Sequence, residues 1–144
     1  YTKVVNGRNP IVAHEFLGTS VEGKDMIIID DMISSGESVL EVAAALKERK
    51  ANKIFVFSTF GLFTSGLDKF DNAFASGIIT KVLTTNLIYQ TPELLKREWY
   101  INCDMSKYIA YIIDTLNHDS SISDLLNPNE RIQSIVARYK KGEL

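Results

Sequence analysis

The sequence predicts an α/β domain in three layers: a mostly parallel sheet with helices on both faces. Three observations carry that expectation. The chain has 144 residues, 45% apolar and 24% charged, enough for one soluble domain with one core. Short β-branched runs alternate with amphipathic helical stretches, the order that builds parallel sheets. The first clear strand, residues 26–29, is a continuous Ile-rich run, the pattern of a strand covered on both sides.

Residues 1–22 are weakly patterned. Asn6, Gly7, Asn9 and Pro10 read as turn, and residues 11–17 as a short strand. After a turn at 18–24, the strand at 26–29 ends in two carboxylates, Asp30 and Asp31. A helix follows over 37–50, with Val39, Val42, Ala43 and Leu46 on its buried stripe. Residues 53–59 form a second strand, 64–74 a mixed or helical stretch, and 78–85 a third strand with Thr84, Thr85 and Asn86 at its carboxyl end. Pro92 suits the first turn of a helix over 92–98. Residues 99–103 form the fourth strand. A helix over 104–117 carries Met105, Ile109, Ile112, Ile113 and Leu116 on one face. Asn127 and Pro128 open a last helix, with Glu130 as the returning acid and Ile132, Ile135, Val136 and Tyr139 as its apolar stripe. No repeat or low-complexity tract interrupts this order.

The net charge of −2 argues against a general nucleic-acid or anionic-membrane surface, so any phosphate site must be local. A single cysteine, Cys103, allows no internal disulfide and makes a reducing cytoplasm the expected setting. It sits in an apolar strand and reads as core. No apolar run approaches the roughly 18 residues of a membrane span, and no signal peptide is evident. His14 and His118 lack companions at ligand spacing, so no protein metal site is expected. Trp99 and Tyr100 read as packing.

The densest chemistry lies in residues 27–38, Ile-Ile-Ile-Asp-Asp-Met-Ile-Ser-Ser-Gly-Glu-Ser. Ligands bind outside the carboxyl ends of strands in open α/β sheets. The free N–H groups of a following helix can cradle a phosphate, aided by the helix dipole. Ser34, Ser35 and Ser38 add hydroxyl donors, and Gly36 allows close backbone approach. Asp30 and Asp31 are acceptors, suited to a sugar diol or a hard cation. Diol acceptors beside a phosphate cradle describe a phosphorylated ribose. The same run is also a plain capping box, with Glu37 reaching back to the Ser34 N–H. On pattern alone the two readings stand level.

A strand, two acids, a small-residue loop and a helix resemble the PRPP-binding motif of class I phosphoribosyltransferase-type folds. The fit is closest to ribose-phosphate pyrophosphokinases (PRPP synthetases), over residues from about Leu17 to Leu126 and in that family's order. Ala43-Ala44-Ala45-Leu46-Lys47-Glu48-Arg49 resembles the helix after the loop. Ser58-Thr59-Phe60-Gly61-Leu62-Phe63-Thr64-Ser65-Gly66 resembles the Thr-His-Gly…Ser-Gly stretch. Val82-Leu83-Thr84-Thr85-Asn86-Leu87-Ile88 resembles the Val-Thr-Asn-Thr-Ile strand. Ser121-Ile122-Ser123-Asp124-Leu125-Leu126 resembles the Ser-rich C-terminal end. The resemblance implies a C-terminal-type domain over residues 1–126, poorly matched over 1–22 and incomplete at its N-terminus, with a helical extension over 127–144.

By this resemblance, Asp30 and Asp31 bind the ribose hydroxyls, and Ser34, Ser35, Gly36, Glu37 and Ser38 wrap the 5-phosphate. Ser121 and Ser123 match positions of a regulatory phosphate site. The family has Asp where Ser34 stands, Gly where Glu37 stands and His where Phe60 stands. Glu37 is therefore expected to point away from the cradle, and Phe60 has no catalytic role. The implied reaction transfers pyrophosphate from ATP to ribose 5-phosphate, giving PRPP and AMP, with Mg²⁺ bridging the phosphates. The ATP site and the catalytic basic loop lie mostly outside this segment, which is expected to be inactive alone. Lys3 and Arg8 match no motif for that loop. A homo-oligomer in the cytoplasm is implied. Two alternatives stay open: a phosphoribosyltransferase that consumes PRPP, and a non-catalytic PRPP-binding regulatory homologue.

Overall fold

A computed structural model describes residues 18, 20–123 and 127–143. It falls into two compact units, Tyr1–Asp104 and Met105–Leu144. The expected strand at 11–17, together with Lys3, Arg8 and His14, lies outside the described residues, as do residues 124–126 at the expected 126/127 boundary.

The first unit is a four-stranded parallel sheet in sequential order: β1 (Met26–Ile33), β2 (Ile54–Gly61), β3 (Lys81–Thr85) and β4 (Tyr100–Cys103). Parallel neighbours need crossovers. These contain α1 (Glu37–Glu48), α2 (Asp68–Ala75) and the single turn α3 (Pro92–Leu95). Thr91 caps α3, its hydroxyl accepting from Leu94 N at 3.2 Å, with Pro92 in the first turn as expected.

One core holds the unit together. Ile54, Val56 and Val82 face Val39, Ala43 and Leu46 of α1, Phe70 and Ala73 of α2, and Leu94 of α3. The opposite sheet face differs from expectation. Ile27 is 61% and Ile29 82% exposed, and Phe57 and Ile101 are also exposed. The run at 26–29 is thus covered on one side only among the described residues. Met26 and Ile28 pack on the core while their neighbours project the other way, as strand alternation requires.

Helix ends close by a common device. In α1, Lys50 N donates to Lys47 O at 2.8 Å and Ala51 N to Leu46 O at 3.1 Å, with Lys50 left-handed at φ 62°. This double closure satisfies the last carbonyls and ends α1 two residues before Lys50, the expected limit.

The second unit contains α4 (Ser106–Asn117) and α5 (Asn129–Lys140). Lys107 and Arg131 both lie over the Tyr111 ring, at 5.7 and 5.9 Å from its centroid. Asn127 is not the cap of α5. Pro128 holds that position, and Asn127 Oδ1 accepts from Asn129 N at 3.2 Å.

Candidate functional site

β1 runs further than its apolar residues indicate. Its ladder to β2 continues through Asp30↔Ser58, Met32↔Phe60 and Ile33↔Gly61, so the two acids sit inside the strand and not beyond its end. The chain leaves β1 at Ile33 and enters α1 at Glu37. Three residues, Ser34, Ser35 and Gly36, make the turn. A cleft of about 110 Å³ opens there at the carboxyl edge of the sheet.

Five of the seven expected residues line this cleft: Asp30, Ser34, Ser35, Gly36 and Ser38. Asp31 and Glu37 are outside its lining. Successive strand residues project to opposite faces, and accordingly Asp30 is half-buried while Asp31 is exposed. The Asp31 N–H donates to Asp30 Oδ1 at 2.8 Å. Met32, Ile33 and Val39 complete the wall, apolar residues that carry no ligand signal in the sequence.

Gly36 occupies the N-cap of α1 with φ 81° and ψ −3°. Its left-handed backbone favours glycine. A Cβ here would also lie 2.4 Å from Phe70 Cε2 and 2.6 Å from Phe70 Cζ. The loop is therefore pressed against α2. Glu37 does so too, its Oε1 taking a 2.6 Å bond from Lys69 Nζ. The expected capping box is replaced in part: Gly36 caps in place of Ser34, and the Glu37 N–H approaches Ser35 Oγ at 3.5 Å.

The segment between β2 and α2 braces the loop from below. Leu62 N donates to Ile33 O at 2.8 Å, and Thr64 N to Ser34 O at 3.0 Å. The Ser34 and Thr64 hydroxyls lie 3.4 Å apart. Phe63, left-handed at φ 48°, turns its ring inward. It meets Phe70 edge-on at 5.1 Å, Trp99 at 5.9 Å and Tyr100 at 6.3 Å. Trp99 stacks on Phe70 at 5.4 Å and 24°. Its indole N–H donates to Asp71 Oδ1 at 2.6 Å, and Arg97 Nε lies 3.0 Å from that oxygen and 3.1 Å from Oδ2. Trp99 and Tyr100 are core packing, as expected, at the centre of a cluster that secures the loop.

The Tyr100 hydroxyl is 2.7 Å from Thr84 Oγ1 and accepts from Gln90 Nε2 at 2.5 Å. Burial pushes its pKa above the usual value of 10.0, the Thr84 hydrogen bond opposing and nearby Cys103 adding to the rise. Gln90 Nε2 also donates to Thr85 O at 2.9 Å, and Asn86 Nδ2 to Asp104 Oδ1 at 2.8 Å, tying down the end of β3.

Other hollows open on the same unit. A crevice of about 220 Å³ shares Asp30 and includes Ser58, Thr59, Thr85 and Cys103. Cys103 is half-buried and faces this crevice, where apolar strand text had marked it as core. A larger cleft of about 350 Å³ is lined by Leu62 and Phe63 of the bracing segment with Tyr89, Leu94 and Arg97 among others. Ser121 and Ser123 are in the second unit, both exposed. Ser121 Oγ lies 2.9 Å from Ser123 Oγ and accepts from Ser123 N at 3.2 Å.

No group of three or more His, Cys, Asp or Glu could hold a metal ion among the described residues. Magnesium carried by a phosphate substrate needs only one or two carboxylates, the remaining positions being phosphate and water oxygens. Asp30, lining the cleft, fits that lesser demand. Among the described residues no helix is long and apolar enough to cross a membrane.

The chain is similar to known proteins. Residues 8–127 match the family model described as the phosphoribosyl synthetase-associated domain. Over 107 residues the chain is 33% identical to a ribose-phosphate pyrophosphokinase of Shewanella oneidensis, covering 74% of this chain and 33% of the relative. A ribose-phosphate pyrophosphokinase of Pasteurella multocida is 32% identical over 103 residues, covering 72% and 32%. The chain thus spans about a third of the length of the curated relatives it matches. A crystal structure of phosphoribosylpyrophosphate synthetase from Mycobacterium smegmatis superposes with a TM-score of 0.62 at 21% identity, over 72% of this chain and 33% of that one. That likeness carries the parallel α/β fold. The match to the family model spans most of the chain, which therefore belongs to the phosphoribosyl synthetase-associated domain family.

Proposed function

We propose that this chain is the ribose-5-phosphate-binding part of a ribose-phosphate pyrophosphokinase. The observation that carries the reading is the cleft at the end of β1, where Asp30, three serines and Gly36 meet the start of α1. The loop hydroxyls and first-turn N–H groups take the 5-phosphate, and the helix dipole favours its charge. Gly36 lets the phosphate approach the backbone. Asp30 accepts from the ribose hydroxyls, and the resemblance assigns Asp31 to the same diol although its side chain leaves the other face of β1. The anomeric hydroxyl is thereby held still for attack on the β-phosphorus of ATP, a contribution of positioning. Magnesium bound with the nucleotide would supply positive charge against the phosphates. Asp30 would hold it directly or through water.

The products are PRPP and AMP. ATP contacts come mainly from the part of the relatives' length that this chain does not span, so the chain alone binds but does not turn over. The protein acts in the cytoplasm as a homo-oligomer, and the Ser121–Ser123 turn takes a regulatory phosphate. A second reading, a PRPP-binding regulatory homologue without catalysis, draws support from Ser34, Glu37 and Phe60, which replace Asp, Gly and His.

Calorimetry with ribose 5-phosphate and Mg²⁺ tests the first reading. The unmodified chain binds, while Asp31→Asn and Ser35→Glu each lose affinity by tenfold or more, about 1.4 kcal/mol. Binding unchanged in both variants would remove the ligand from this loop. Synthetase activity in the full-length protein separates the two readings.

A further inference from the structure

We propose that Lys69 is a positioning residue that makes the phosphate loop competent for an anion despite Glu37. The inference rests on the ribose-5-phosphate reading above. Glu37 opens α1 immediately after Gly36, at the end of the helix dipole where a phosphate would sit. A free carboxylate there competes for the same field and repels a dianion. Lys69 answers it from the next crossover, with Nζ 2.6 Å from Glu37 Oε1.

The geometry of the pair is not left to two flexible side chains alone. Phe70, the neighbour of Lys69, is fully buried and packs against Gly36, the neighbour of Glu37. Two consecutive residues of α2 thus engage two consecutive residues of the loop. The ring fixes the distance between α2 and the loop, and the ammonium then holds the carboxylate to the α2 side. The pair is partly exposed, its side chains 44% and 67% accessible. Its value to folding is accordingly small. Its effect on a doubly charged ligand is larger, because Lys69 keeps the Glu37 charge turned from the cradle as well as balancing it.

The test is a double-mutant cycle read by calorimetry with ribose 5-phosphate. Lys69→Met weakens binding about tenfold, the size expected for a change of one charge unit near a dianion in a wet site. Lys69→Arg keeps the charge and binds normally. Glu37→Gln binds at least as well as the unmodified chain, and Lys69→Met in that background costs clearly less, because no carboxylate is left to turn toward the cradle. The Lys69→Met loss shrinks with added salt. Equal losses in both backgrounds would mean that Lys69 acts on the phosphate by its own charge and not through Glu37, and would overturn the proposal, as would no loss at all. Urea unfolding run alongside shows that each variant is folded. Absence of binding in the unmodified chain and in Glu37→Gln alike would instead sink the ribose-5-phosphate reading, and this proposal with it.

Discussion

Replacing Gly36 with alanine challenges the loop at the point where two constraints meet. The backbone there has φ 81°. An L-residue in the left-handed region costs about 1–2 kcal/mol. The new Cβ would stand 2.4 and 2.6 Å from two carbons of the Phe70 ring, closer than any real contact. Phe70 is fully buried and stacked on Trp99, so its ring cannot move aside freely. Overpacking of this kind costs about 1–3 kcal/mol. Alanine also stiffens the unfolded chain, which offsets about 0.4–1 kcal/mol. The net loss is about 1–5 kcal/mol. Urea unfolding followed by circular dichroism measures it. Phe70→Leu in the same background makes room for the methyl group, so the double variant is more stable than the sum of the single losses by about 1–3 kcal/mol. A Gly36→Ala loss below about 1 kcal/mol, or strict additivity with Phe70→Leu, would refute the account of a loop seated on that ring.

Two further predictions concern the supports around the cluster. Asp71→Ala strands the Trp99 indole N–H, whose residue is only 1% exposed, and costs about 1–3 kcal/mol in urea unfolding. Loss of the Arg97 contact adds little, because that pair is over a third exposed. Tyr100 sets a pH limit. Its folded pKa is raised above 10.0, so the native state keeps a proton that the unfolded chain has lost. The resulting stability is complete below about 10 and fades as the pH rises through the folded value. Tyr100→Phe removes this alkaline decline while costing about 1–3 kcal/mol at neutral pH, where buried Thr84 loses its partner. An undiminished alkaline decline in the variant would assign it to other groups.

Much of the architecture was legible because its signals are local. Apolar runs and amphipathic stripes alternate, and they become four parallel strands with their crossovers. The boundaries were less so. Asp30 and Asp31 read as the end of a strand, yet hydrogen bonding from β2 carries β1 through to Ile33. That pairing belongs to the sheet and not to the acids. The Ile-rich run at 26–29 read as covered twice, because composition reports hydrophobicity and not which neighbour is present. At the site, the serines and Gly36 were visible as a turn of small residues before a helix. Lys69 and Phe70 were not, since both sit in an ordinary amphipathic helix some thirty residues on. Only the fold brings them to the loop. Phe63 hides in the same way, its place in the ring cluster being set by partners distant in sequence.

The stack of Trp99 on Phe70 has an optical consequence. The chain has one tryptophan, so its entire indole emission comes from a single shielded ring. That ring touches the phenyl group against which Gly36 rests, and its N–H is held by a carboxylate able to alter its excited state. The phosphate loop therefore lies one ring away from a built-in fluorophore. Small displacements of Gly36 pass to Phe70 and from there to Trp99, so spectroscopy can follow the loop without any attached label.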